Sequence, residues 1–341
     1  PSGTQLVLSP VPVVEGQAQV DLTDGVLQAS DVQQARMLWQ LNTTLTQISD
    51  VSDVAITVNQ TPLPVPEIDE EQPALTTGRD PRPVVIRGRD FGYLQAGRIE
   101  AIDDLEAGVV SLRPEMVFYS SEYSQAAVVG EGGLWRVTLD GPGEIALDSR
   151  EDLVRPAIDS CGLVWSVSEQ PGVDAIRVFP PTVVNPDEDA WELALELPAD
   201  SRIISFELAR DNTRMLLLVQ AGESVRVLLT AIERSSDCEP EGIGEFLELT
   251  PLDGQGVDAA FVDEGQVAVV ARDGAVGEAV IQDVSGRAFS AGRPSAPTTL
   301  VGGVGGVPGL RLLNATGQIL QPRGNGWQDT GERANVLVTQ R

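Results

Sequence analysis

Apolar and polar positions alternate in short bursts along most of the chain. The clearest burst is Val117–Leu139, VFYSSEYSQAAVVGEGGLWRVTL. Val117-Phe118-Tyr119 is apolar, Ser120–Gln125 is polar, Ala126–Val129 is apolar again, and Gly130–Gly133 turns before the alternating LWRVTL. β-branched and aromatic residues fill the runs while Gly, Ser and Glu fill the gaps, which predicts strand–turn–strand–turn–strand. Three short strands cannot bury a face alone, so further copies of the unit are expected.

The copies are present. Leu153–Val167, Ile203–Val219 and Val257–Val270 each carry an apolar strand into a polar turn (Asp159-Ser160, Asp211-Asn212, Asp263-Glu264-Gly265) and out into a more apolar strand. Thr298–Leu313 is a Gly-rich version. Aligning Val129, Trp165, Leu218, Val270 and Leu313 gives spacings of 36, 53, 52 and 43 residues, around the roughly 40–50 residues of a four-stranded propeller blade. A hairpin over Val84–Ile102, turning at Gln95–Gly97, precedes them. The prediction is a mainly β chain, a β-propeller of six blades, with five as the alternative and a β-sandwich as the competing architecture. The last run, Ala334–Thr339, is placed to pair with the first blade and close the ring, removing two exposed edges.

The N-terminal pattern differs. Strand-like Gln5–Leu22 is followed by Ser30 with Gln33 three residues on, a capping box. Apolar Ala35, Leu38, Leu41, Leu45 and Ile48 then form one helical stripe ending near Ser49-Asp50. Val51–Val58 returns as a strand. This makes a small α/β module over 1–65, a Pro- and acid-rich linker over 66–83, and the propeller over 84–341. The EIDEE run at Glu67–Glu71 reads as a solvated charge run.

Composition narrows the chemistry. The net charge is −28 with 51 acidic residues and 23 Lys plus Arg, all of them Arg. A phosphate backbone would be repelled, so nucleic acid is not an expected partner. There is no His, which removes Ser–His and Cys–His nucleophile pairs and imidazole zinc sites. No apolar run reaches the roughly 18 residues of a membrane span. The start at Pro1-Ser2-Gly3 reads as a mature fragment. Cys161 and Cys238 are the two cysteines, and adjacent blades could bring them into one disulfide or leave two thiols. Asp159, Asp211 and Asp263 occupy matching turns, where a metal ring is conceivable, although turn Asp is expected for local hydrogen bonding. Pro186–Asp189 lacks the spacing of a calcium loop. No cofactor is expected.

The segment ARMLWQLNTTLTQISDVSDVAITVNQTPL resembles the second part of a GerMN domain, and GLWRVTLDG, LVRPAIDSCGLVWSV and FELARDNTRMLLLV resemble the propeller of LpqB-type actinobacterial lipoproteins. The resemblance implies an exported protein, lipid-anchored at the outer face of the cytoplasmic membrane. It implies association with the MtrA/MtrB two-component system, with the extracellular part of an MtrB-like sensor histidine kinase as partner, in cell division and envelope homeostasis. On this resemblance the chain lacks the signal peptide, the lipid-bearing cysteine and the start of the GerMN unit. The expected function is therefore a non-enzymatic interaction module. The alternatives are a propeller that binds a cell-wall ligand and a divalent-metal hydrolase or lactonase-like enzyme. Trp191, Trp327, Tyr123 and Arg155 are the expected partner contacts, because aromatics and Arg dominate interface hot spots. Trp135 and Trp165 alternate within strands and are expected in the core.

Overall fold

The computed structural model describes residues 4–14, 16–45, 51, 53–66, 80–139, 143–172, 174–198 and 200–340. The expected helix end at Ser49-Asp50, the Glu67–Glu71 run and most of the 66–83 linker lie outside them. Contacts divide the chain into two units, Pro1–Gly78 and Arg79–Arg341.

In the first unit, Gln17–Leu22 runs parallel to Asp53–Val58, flanked by the short strands Val13–Val14 and Thr61–Pro62. Parallel neighbours need a crossover, and α1, Asp31–Leu45, supplies it. The capping box forms as read: Ser30 N donates to Gln33 Oε1 at 3.0 Å, and Gln33 N donates to Ser30 Oγ at 3.3 Å. Met37, Leu38, Leu41 and Leu45 lay their stripe on Ala18, Val20 and Ile56 of the sheet.

The second unit holds six blades among the described residues, five of four strands and one, blade 4, with two further short strands, Leu247–Glu248 and Leu252–Asp253, paired to its third strand. Blade 2 runs from Met116–Ser120 to Glu144–Asp148, and blade 3 from Ala157–Ile158 to Trp191–Leu193. Blade 4 runs from Ser201–Leu208 to Pro240–Ile243, blade 5 from Gln255–Phe261 to Ala288–Ser290, and blade 6 from Pro297–Val301 to Gly326–Arg333. Blade 1 is made from both ends of the unit: Val336–Gln340 pairs antiparallel with Val84–Arg87, followed by Asp90–Gln95 and Arg98–Ala101. Val336–Gln340 also lies parallel to Met116–Ser120, with Thr339 opposite Phe118. The ring is therefore closed by the last strand, as its apolar pattern predicts. Val84, Val85, Leu337 and Val338 are at most 1% exposed at this seam.

Val129, Trp165, Leu218, Val270 and Leu313 all fall on the second strand of their blades. The repeat read from the turns is thus the structural repeat. One local expectation needs correction, and one element was not expected. The expected turn at Gln95–Gly97 forms, with Gln95 opposite Arg98, but Val84–Ile102 is three strands because a further turn divides its first half. Its first turn, Gly88-Arg89, is too short to stand out, and Gly92, inside the strand that follows, is needed because a Cβ would lie 2.0 Å from Glu100 O on the third strand. After it comes α2, Asp103–Ser111, which the sequence reading did not assign. Only Leu105 and Val109 mark its buried face, an i,i+4 pair too brief to show a period.

Candidate functional site

The inner strands of the six blades run side by side around the axis, and the two ends of this bundle differ. At the end where they begin lies a cavity of about 750 Å³, with residues of every inner strand or its lead-in on its wall. Its floor is a polar knot. Arg155, just before blade 3, is ion-paired to Asp258 of blade 5. Nη1 of Arg155 also donates to Leu300 O of blade 6 at 3.1 Å and to Thr339 Oγ1 of blade 1 at 3.0 Å. Asp258 Oδ1 accepts from Ser205 Oγ of blade 4 at 2.6 Å and from Ala259 N at 2.9 Å, while Oδ2 accepts from Leu300 N at 2.7 Å. Five blades meet in one network whose members are each less than a tenth exposed. Every carboxylate oxygen is satisfied, which a buried charge requires.

Met116, Ile204 and Val257 supply aliphatic wall, Thr298 and Thr299 hydroxyls, and half-buried Arg87 and exposed Glu115 charge. Among the described residues no Phe, Tyr or Trp lines the cavity, and these residues offer no platform on which a sugar ring could stack.

The opposite end carries the turns that follow the inner strands, and there the blades are laced together. Asp159, Asp211 and Asp263 each accept the backbone N–H two residues on, from Cys161, Thr213 and Gly265, at 2.9, 2.9 and 2.8 Å. The matching turn carboxylates are thus spent on their own turns. Asp159 is fully buried, accepts Trp165 Nε1 at 2.9 Å and pairs with Arg234 of blade 4 at 2.8 Å. Arg234 in turn lies 5.0 Å over the Trp165 ring. Asp211 is held below the ordinary carboxylate range: burial acts to raise it, but hydrogen bonds from Thr213 and Arg214 prevail. Between blades, Tyr123 donates its hydroxyl to Ser160 O, Ser160 N donates to Asn212 Oδ1 at 3.2 Å, and Arg210 Nη2 donates to Gly303 O at 2.8 Å. Cys161 and Cys238 are bridged, joining the blade 3 turn to the loop before the last strand of blade 4. Among the described residues no group of three His, Cys, Asp or Glu side chains could hold a metal. Asp189 of the single-turn helix α3, Pro186–Asp189, instead accepts Val184 N and Asn185 N, both at 2.8 Å.

The four expected contact residues do not form one patch. Arg155 is 7% exposed and is an axial strut, which corrects its assignment to the surface. Trp191 and Trp327 open or enter the outermost strands of blades 3 and 6 and pack partly against the blade cores. Tyr123, 38% exposed, sits at the blade 2 turn with its hydroxyl committed. Trp165 is fully buried and stacks on Phe206, while half-buried Trp135 donates Nε1 to Glu131 O at 3.0 Å. The axial Asp258 and Ser205 escaped the sequence reading. Their only signal is a polar residue with apolar neighbours on both sides, VDAAFV and IISFEL.

The fold and its closure define a six-bladed β-propeller that follows a small α/β module. The chain belongs to the lipoprotein LpqB β-propeller domain family, whose model matches residues 90–335. Residues 1–64 match the sporulation and spore germination model, the GerMN module. A lipoprotein family implies an exported, membrane-anchored envelope protein. No curated protein matches the chain. Among solved structures, TolB from Acinetobacter baumannii is 16% identical over 70% of this chain with a TM-score of 0.42, and the chain spans 50% of its length. The Swd1 propeller domain of Myceliophteria thermophila is 11% identical over 56% of this chain and 63% of its own, with a TM-score of 0.39.

Proposed function

We propose that this protein is a non-enzymatic interaction module of the cell envelope, held at the outer face of the cytoplasmic membrane, whose propeller binds the extracellular part of an MtrB-like sensor histidine kinase. Through that contact it modulates a two-component system serving cell division and envelope homeostasis. The observation that carries this reading is the contrast between the two ends of the bundle. One end is tied by turn-to-turn hydrogen bonds and the Cys161–Cys238 bridge, and the axis is tied by Arg155 and Asp258. The other end is open. A scaffold stiffened in this way presents a preorganised face, which lowers the ordering cost of association. Family membership and the absence of His support the non-catalytic reading. Regulation then requires different affinities for two kinase states.

The test is a calorimetric titration of the protein with the purified extracellular domain of the sensor kinase at low and physiological salt. Saturable one-to-one binding that weakens with salt is expected for so acidic a protein. No heat and no co-elution at high micromolar concentrations would remove the kinase as partner.

A further inference from the structure

We propose that the axial cavity is a binding site for a short unblocked peptide, a ligand carrying one ammonium and one carboxylate. The inference goes beyond the kinase reading and does not depend on it.

It rests on which charges at the cavity remain available. The chain as a whole has more than two acids per Arg, yet the cavity wall holds three Arg and two acids. Most of these are already committed. Arg155 and Asp258 neutralise each other in the floor, with both carboxylate oxygens occupied. Arg333 pairs with Asp329 at 3.2 Å. Two remain. Arg87, at the end of the second strand of blade 1, spends Nη2 on Gly97 O at 3.0 Å and has no carboxylate partner among the described residues. Glu115, one residue before the inner strand of blade 2, has no cation partner there either, because its neighbour Arg113 pairs with Glu131 at 3.0 Å. Blades 1 and 2 are adjacent, and the two side chains line the same cavity without meeting as an ion pair.

One cation and one anion without ion partners among the described residues, both on the wall of one concave site, match a dipolar ligand. A purely anionic ligand would meet the long-range repulsion of a −28 chain, and a purely cationic one would leave Arg87 without a counter-charge. A dipolar ligand is neutral overall and escapes both. About 750 Å³ lies within the range of small-ligand pockets, roughly 300–1,000 Å³. The wall of Met116, Ile204 and Val257 with threonine hydroxyls suits small aliphatic side chains and backbone amides. In the expected pose the ligand carboxylate meets Arg87 and its ammonium meets Glu115.

The experiment uses the whole protein and trialanine as probe, followed by calorimetry and by chemical-shift changes. Trialanine should bind one-to-one. N-acetylation and C-terminal amidation should each weaken it about tenfold, or about 1.4 kcal/mol. Arg87→Ala should weaken trialanine but leave the C-terminally amidated peptide unchanged. Glu115→Gln should weaken trialanine but leave the N-acetylated peptide unchanged. Arg87→Lys, which keeps the charge, should restore part of the loss, and unfolding midpoints confirm that each variant is folded. No binding of trialanine at millimolar concentration overturns the proposal. Equal affinity for free and doubly blocked peptide overturns it too, as does a variant whose effect ignores the matching terminus. Each of these failures leaves the kinase titration untouched.

Discussion

Arg155 and Asp258 are 103 residues apart in the chain and form a buried ion pair on the propeller axis, where they draw in Ser205, Leu300 and Thr339 from three further blades. Burying such a pair costs desolvation that only complete hydrogen bonding repays. Removing one partner strands the other. Asp258→Ala and Arg155→Ala should therefore each destabilise the propeller by about 3–5 kcal/mol, while the double replacement should cost clearly less than the sum of the two. Urea unfolding of the three variants checks this. Additive single effects would mean that the pair is not coupled.

A second prediction concerns acid. Asp148 is 3% exposed; burial acts to raise its pKa, but hydrogen bonds from Arg150 and Ser166 outweigh this and hold it below the ordinary 3.8. The Ser166 Oγ bond is 2.6 Å long. A carboxyl whose folded pKa is depressed adds stability that is full above its unfolded value and is lost as pH falls through the folded one. Asp80, Asp211 and Glu248 are lowered as well. Stability should thus be level near neutrality and fall below about pH 4. Ser166→Ala should cost roughly 1.5–3 kcal/mol at pH 7, and that difference should narrow as Asp148 becomes protonated. Thermal unfolding across pH 2–7 gives the comparison.

The disulfide closes a loop with a sequence separation of 77. In the chain-entropy account, a loop of that length stabilises by about 4.5 kcal/mol, chiefly by restricting the unfolded chain. Reduction, or the paired Cys161→Ser and Cys238→Ser replacements, should lower the urea midpoint with little change in far-UV dichroism. A midpoint indifferent to reductant would show that the turn-to-turn hydrogen bonds hold blades 3 and 4 without it.

Ring closure depends on the last strand. Leu337 is 1% exposed and pairs with Val85. Leu337→Ala should cost about 2–5 kcal/mol. Removing the chain from Val336 onward would uncover the edges of Val84–Arg87 and Met116–Ser120, and exposed edges recruit other chains. Size-exclusion chromatography should show aggregation of the shortened protein. A monodisperse, cooperatively folded product would refute the role given to this strand.

The blade pattern was legible in the chain because strands and turns are local. Period-two alternation places side chains, and the recurring Asp turns satisfy their own backbone within two residues. The repeat positions Val129 to Leu313, the capping box at Ser30 and the closing strand needed nothing else. Helix α2 was lost because nine residues with two buried positions cannot display a period. The site was not legible, since its parts come from different blades. Asp258 and Ser205 are ordinary polar interruptions until ring closure brings Arg155 to them. Arg87 and Glu115 are two surface charges until adjacent blades set them on one cavity wall. Sequence alone determined the class of element, the repeat and the closure, because these follow from short-range sterics and burial. Only the tertiary structure decided which charges are spent and which stay free, because that depends on contacts between residues up to 184 positions apart.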